Sequence, residues 1–281
     1  MAVMPWIAVF LAALAAFCQA PRRLTLVVLA IGYGLAFVLG QLRAIAIVPI
    51  ALLLCTGILL QWNPSRLGKL LCNVVFVIVA LGLFQHWLPG FHNLRVIDAA
   101  RFTPNAAPYT MYLNFDKPLI GFWLLLTYPW VQPKKAFPVL AISALGACAI
   151  TSAVCLFIAL EAGSIAWTPK WPHLAWLWML NNFLLVAFAE EALFRGYIQA
   201  GIARLLKARP HAQWFGLIVA VVLFGLTHYQ GGAALVLLAA LSGVGYGLAY
   251  RAGGLQAAML THFGLNLAQF ALFTYPFIAH S

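Results

Sequence analysis

Two adjacent carboxylates set inside an apolar run are the first residues of this chain whose types and spacing can do chemistry. They are Glu190 and Glu191, in the stretch Phe188-Ala189-Glu190-Glu191-Ala192-Leu193-Phe194-Arg195-Gly196. An ionisable group at the centre of a membrane helix costs about 3 kcal/mol or more, so a run that holds three of them needs a reason. On a helix Glu191 and Arg195 stand four residues apart with the acid first, the favourable order for an ion pair. Glu190 is turned roughly 100° from Glu191 and is left without that partner. A carboxylate in such a partly desolvated place suits general acid/base work. The alternative is that both acids serve one network with Arg195 that fixes helix packing, and charge counting alone leaves it open. Two more polar points stand in otherwise apolar helices: His228, which closes Leu223-Phe224-Gly225-Leu226-Thr227-His228, and His262 with Asn266. The last two are four residues apart and share a helix face, from which both can direct donors at one oxygen atom.

The elements that must position these residues are membrane helices. Of 281 residues 65% are hydrophobic and 7% charged, with a mean hydropathy of +0.98, whereas a soluble domain is about a quarter charged. Apolar runs between Pro, Gly and charge clusters mark spans near 3–19, 24–40, 44–61, 70–88, 118–132, 136–160, 174–192, 212–229, 231–250 and 255–278. The expected fold is an all-α integral membrane bundle of about 8–10 transmembrane helices. At ~20 residues per span these leave no room for an appended soluble domain, and no period-two pattern suggests a barrel. The weakest span is 118–132, short and interrupted by Pro129, and it reads as a tilted or re-entrant half-span. The first apolar run lacks the positive start of a signal peptide and reads as a retained span. The five cysteines lie in apolar stretches without ligand spacing and read as small buried hydrophobes. Gly243 and Gly247 form a GxxxG suited to close helix packing.

The net charge of +11 comes from 16 Lys and Arg against five acids. In a soluble protein that excess points to nucleic acid. Here it reports orientation instead, and no nucleic-acid partner is expected. With both termini outside, the inside connections hold Arg22, Arg23, Arg66, Lys69, Lys134, Lys135, Arg204, Lys207, Arg209 and Arg251, and the outside ones hold Arg43, Arg95, Arg101, Lys117 and Lys170. The 89–117 connection is the one long loop, and its end, Asn114-Phe115-Asp116-Lys117-Pro118, reads as a helix start. The stretch after Arg195 reads as amphipathic and fit for the membrane surface.

Taken together, the polar residues resemble the type II CAAX prenyl proteases and their bacterial relatives, the CPBP or Abi family. Its Glu-Glu-x-x-x-Arg motif is matched by Glu190, Glu191 and Arg195, its Phe-x-x-x-His motif by Phe224 and His228, and its His-x-x-x-Asn motif by His262 and Asn266. The separations, 37 residues from Glu191 to His228 and 34 from His228 to His262, suit successive membrane helices. The resemblance covers roughly 173–272; residues 1–172 form an N-terminal transmembrane region of no assigned role, and 273–281 the C-terminal end. It implies an intramembrane endopeptidase in which Glu190 and His228 activate a water, His262 and Asn266 hold the oxyanion, and Glu191 is mainly structural with Arg195. The implied partners are membrane lipid and a peptide or membrane-protein substrate, in a multi-pass protein of the plasma (inner) membrane if the source is prokaryotic. No cofactor is expected. The alternatives are a zinc site formed by Glu190, His228 and His262, and, without hydrolysis, a proton-coupled transporter or an immunity or scaffold protein. One tension stands in this reading. In a ten-span arrangement Glu190 falls near the inner end of its helix and His228 near the outer end of the next, so either the motif helix starts deeper than residue 174 or the 212–229 helix is broken or displaced.

Overall fold

The computed structural model describes residues 3–279; the last two positions of the 273–281 end lie outside the described residues. In chain order the elements are α1 (Met4–Phe17), α2 (Arg22–Val38), α3 (Ile47–Gln61), α4 (Arg66–Phe84), β1 (Leu94–Ala100), β2 (Tyr109–Leu113), α5 (Pro118–Thr127), α6 (Phe137–Glu161), α7 (Ala175–Leu205), α8 (Ala212–Leu226) and α9 (Gly232–Leu272). The chain is an all-α polytopic membrane protein. Among the described residues five stretches, built on α3, α4, α6, α7 and α9, are long and apolar enough to cross a bilayer. Their outer faces are the kind that lipid covers, since Ile78, Ile142 and Leu145 are 65%, 73% and 73% exposed. Prolines open α1, α5 and α6 at the first helical turn, where a missing N–H costs nothing. Ser65 caps α4 by accepting from the Gly68 N–H at 3.2 Å.

The chain packs as two compact units that interleave along the sequence. One comprises the residues up to Arg95, Tyr112–Pro129 and Leu184–Ala189; the other comprises Val96–Met111, Trp130–Phe183 and the chain from Glu190 onward. That division is one of packing, whereas 173–272 is a segment of motif content.

In the first unit α5 has ten residues, about 15 Å, or half a hydrocarbon core. Its faces are held by aromatic contacts, Phe76 stacked on Trp123 at 3.8 Å and Phe122 against Phe188 at 4.9 Å. Asp116 ahead of it is buried and lies 2.6 Å from His86 Nδ1 and 3.2 Å from Asn93 Nδ2. It ties the connection after α4 to the start of α5.

The second unit holds the site. Most of the 89–117 connection is a hairpin of β1 and β2 rather than a loop. Alternation in Tyr109-Thr110-Met111-Tyr112-Leu113 is its signature, with Met111 and Leu113 buried and Tyr112 exposed. Ile97 and Met111 join Trp178 and Phe270 in one core cluster, where the two large rings stack at 4.0 Å. One sequence expectation is corrected here. The helix read as 174–192 runs on to Leu205, with Arg195 and Gln199 0% and 1% exposed and Arg204 exposed near its end. Of the cysteines, only Cys72 and Cys155 are buried, while Cys18, in the turn after α1, and Cys55, on α3, are exposed.

The nominally continuous α9 is two arms. Gly254 sits at φ 78°, ψ −172°, a backbone open only to glycine. Tyr246 and His262 stack at 4.5 Å, whereas sixteen residues of straight helix would hold them about 24 Å apart. The chain therefore reverses at Gly254, and arms of about 33 and 27 Å result, each close to the ~30 Å of a hydrocarbon core.

Candidate active site

Glu190 and Glu191 occupy a single α-helical turn between two π-helical segments, Asn182–Ala187 and Ala192–Gln199. A π turn inserts a residue and so rotates everything after it by roughly 100° relative to what precedes it, a device frequent at functional sites. Before the insertion, rungs join α7 to the second arm of α9 in simple antiparallel register: Trp178 faces Phe270, and one turn on, Asn182 Oδ1 accepts from Asn266 Nδ2 at 3.3 Å. After it the contacts fall on His262, the next polar residue one turn up the arm.

Glu191 is the centre of this network. Its Oε2 accepts from Arg195 Nε at 3.1 Å, as the four-residue spacing requires, and its Oε1 lies 2.8 Å from His262 Nδ1. All three residues are buried, Glu191 and Arg195 completely. Glu191 therefore does more than balance Arg195. A carboxylate accepts, so the Nδ1–H donates to Glu191; that bond fixes the imidazole plane and turns Nε2 outward. Nε2 in turn stands 4.0 Å from Glu190 Oε2. Tyr246 stacks on the other face of the ring at an interplanar angle of 9°.

His228 comes to the site through Phe224. The Phe224 ring lies 5.0 Å from the His228 ring and 5.9 Å from the His262 ring, and the Arg195 guanidinium is 5.0 Å from its centroid. His228 Nδ1 is 3.0 Å from the Phe224 carbonyl, an atom that only accepts, so the proton sits on Nδ1 and Nε2 carries the lone pair. The depth tension disappears once α7 is seen to continue past residue 192. Glu190 is fourteen residues from Arg204 and His228 fourteen from Trp214, so each lies well away from that end of its stretch.

The GxxxG of α9 accommodates polar residues of α7. A Cβ at Gly243 would meet Arg195 Nη2 at 3.2 Å, and one at Gly247 would meet Gln199 Oε1 at 2.8 Å and run into Leu217. Gln199 donates to the Gly247 carbonyl at 3.0 Å.

The sequence reading brought forward Glu190, Glu191, Arg195, Phe224, His228, His262 and Asn266; it passed over Asn182, Tyr246 and Gln199. The signal for Asn182 was present, since Asn181-Asn182 interrupts an apolar run eight residues before Glu190. Among the described residues no three His, Cys, Asp or Glu are grouped to hold a metal ion; His262 has its Nδ1 engaged by Glu191 and its Nε2 facing Glu190.

No curated protein and no solved structure matches the chain. Residues 171–268 match the family described as Type II CAAX prenyl endopeptidase Rce1-like, a stretch that contains every residue of the site from Asn182 to Asn266.

Proposed function

We propose that the protein is an intramembrane endopeptidase that hydrolyses a peptide bond near the membrane boundary with a water activated by Glu190 and His228. The observation that carries this reading is the double use of Glu191, which holds Arg195 with one oxygen and His262 with the other, while Glu190 faces the opposite nitrogen of the same ring. In this mechanism the water gives its proton to Glu190 as it attacks the scissile carbonyl, and His228 Nε2 accepts a hydrogen bond from it. His262 Nε2–H and one Asn266 N–H donate to the resulting oxyanion. Asn266 has a second N–H for Asn182, which holds the amide plane. Glu190 then returns its proton to the leaving amine. The partners in this reading are membrane lipid and a peptide or membrane-protein substrate.

The test is a Glu190→Gln variant assayed on a co-expressed membrane substrate. Cleavage is expected to be lost while the protein accumulates normally. Asn266→Ala should lower the chemical rate by about 10²- to 10³-fold, the effect of one oxyanion donor, without change in metal content. Activity is expected to survive a membrane-permeant chelator. Stoichiometric zinc that disappears in His262→Ala but persists in Asn266→Ala would replace water activation by metal catalysis.

A further inference from the structure

A cleft in the first unit lies outside everything described for the site. It has a volume of about 600 Å³ and runs between α2, α3 and α5. Its floor is made by Tyr33, Leu53 and Trp123, all buried at 7%, 4% and 6% exposure. Both polar handles on that floor are tied off, since the Tyr33 hydroxyl donates to the Phe115 carbonyl and the Trp123 indole N–H donates to the Leu53 carbonyl at 2.7 Å. What the floor presents to the cleft is therefore ring and methyl surface.

The lining is apolar along its length and polar at one end. Arg22 and Arg23 open α2, Gln61 closes α3 and Thr127 closes α5. Since α2 starts where the other two helices stop, all four polar residues gather at the same level. None of the chain's five acids lines the cleft. From Arg22 to Tyr33 is eleven residues, about 16 Å of helix, and half of a ~30 Å hydrocarbon core is about 15 Å. The cleft thus has the depth of one leaflet, a pair of cations at its mouth and no charge below them.

We propose that this cleft binds an anionic phospholipid, with one acyl chain against Tyr33, Leu53 and Trp123 and the phosphate on Arg22 and Arg23. A neutral amphiphile would fill the apolar part equally well. The paired guanidiniums are what select a phosphate-bearing head of net negative charge, by forked hydrogen bonds and by attraction that basic residues at a membrane surface exert on anionic lipid.

The experiment uses the full chain, delipidated in detergent, titrated with dioleoyl phosphatidylglycerol or dioleoyl phosphatidylcholine and read by native mass spectrometry. The first phosphatidylglycerol is expected to bind about tenfold or more tightly than phosphatidylcholine. Arg22→Ala/Arg23→Ala should abolish that preference, and the matched pair Arg66→Ala/Lys69→Ala, basic residues outside the cleft, should keep it. Ala30→Phe, which adds a ring to the cleft wall away from the arginines, should weaken both lipids. Each variant is first required to elute as wild type on size exclusion, and the exposed positions of Arg22, Arg23 and Ala30 favour that. Equal affinity for the two lipids overturns the proposal, as does a preference that survives loss of both arginines, one that disappears equally in the control pair, or an Ala30→Phe variant that binds both lipids as wild type does.

Discussion

Glu190 and Glu191 are neighbours in sequence with different dependents, and the difference makes their substitutions separable. Glu191 holds two partners and Arg195 is completely buried against it, so Arg195→Ala leaves a carboxylate uncompensated in low dielectric, a change that costs about 3–5 kcal/mol. Accumulation of folded protein is expected to drop, and activity with it. Glu190→Ala should leave accumulation near wild type and remove activity. Fluorescence-detected size exclusion of both variants, beside the cleavage assay, checks the contrast; an Arg195→Ala protein that accumulates normally while Glu190→Ala does not would exchange the two roles. Much of this was legible from spacing, because an acid and a base four apart on a helix meet whatever surrounds them. The His262 contact was not. It depends on how two helices distant in sequence are rotated, and the π segments that set this rotation have no residue signature of their own.

At the scale of elements, hydropathy located the helices and failed at their interiors. A span drawn to end at its first charge cluster stops α7 at 192, although the chain buries those charges against one another and continues the helix to Leu205. The reversal at Gly254 was visible as a boundary between two apolar runs, and the hairpin of β1 and β2 went unread because five alternating residues are few beside twenty apolar ones. Close approach of α7 and α8 gives a sharper test of the packing. A Cβ at Gly216 would run into the Gln199 carbonyl, a backbone atom with nowhere to move, whereas one at Gly146 in α6 would meet nothing within 4 Å. Gly216→Ala is expected to lower stability by about 1–3 kcal/mol, as overpacking does, and to shift the turn that carries Gln199 away from Gly247. Gly146→Ala should be neutral or stabilising by up to about 1 kcal/mol, since the unfolded chain loses freedom. Thermal melts of the two variants in the same detergent decide it; equal losses would mean that helix contact does not set the cost.

For the whole molecule the remaining question is which side of the membrane each end of the second unit faces, and the distribution of the cations supplies a testable expectation. The Arg204 guanidinium lies 5.1 Å from the centroid of Trp130, that of Arg251 lies 4.0 Å from Trp214, and Lys135 packs beside Gly254 at the tip of α9. Lys134, Lys207 and Arg209 belong to the same connections. Six cations with two indoles make an interfacial belt at this end of α7, while the end where α7 begins has Lys170 and Arg101. Short connections rich in Lys and Arg are retained in the cytoplasm, so the 206–211 connection should be inside and the 162–174 connection outside. Single cysteines in place of Arg209 and His173, both exposed, in a background without the five native cysteines, report this directly. In intact cells a membrane-impermeant maleimide is expected to label the His173→Cys protein and to reach Arg209→Cys only after permeabilisation. The site lies between these ends, with His262 eight residues, or about 12 Å, from the tip at Gly254. Labelling of Arg209→Cys in intact cells, with His173→Cys protected, would invert the orientation and place the cationic end, the nearer one to His262, outside the cell.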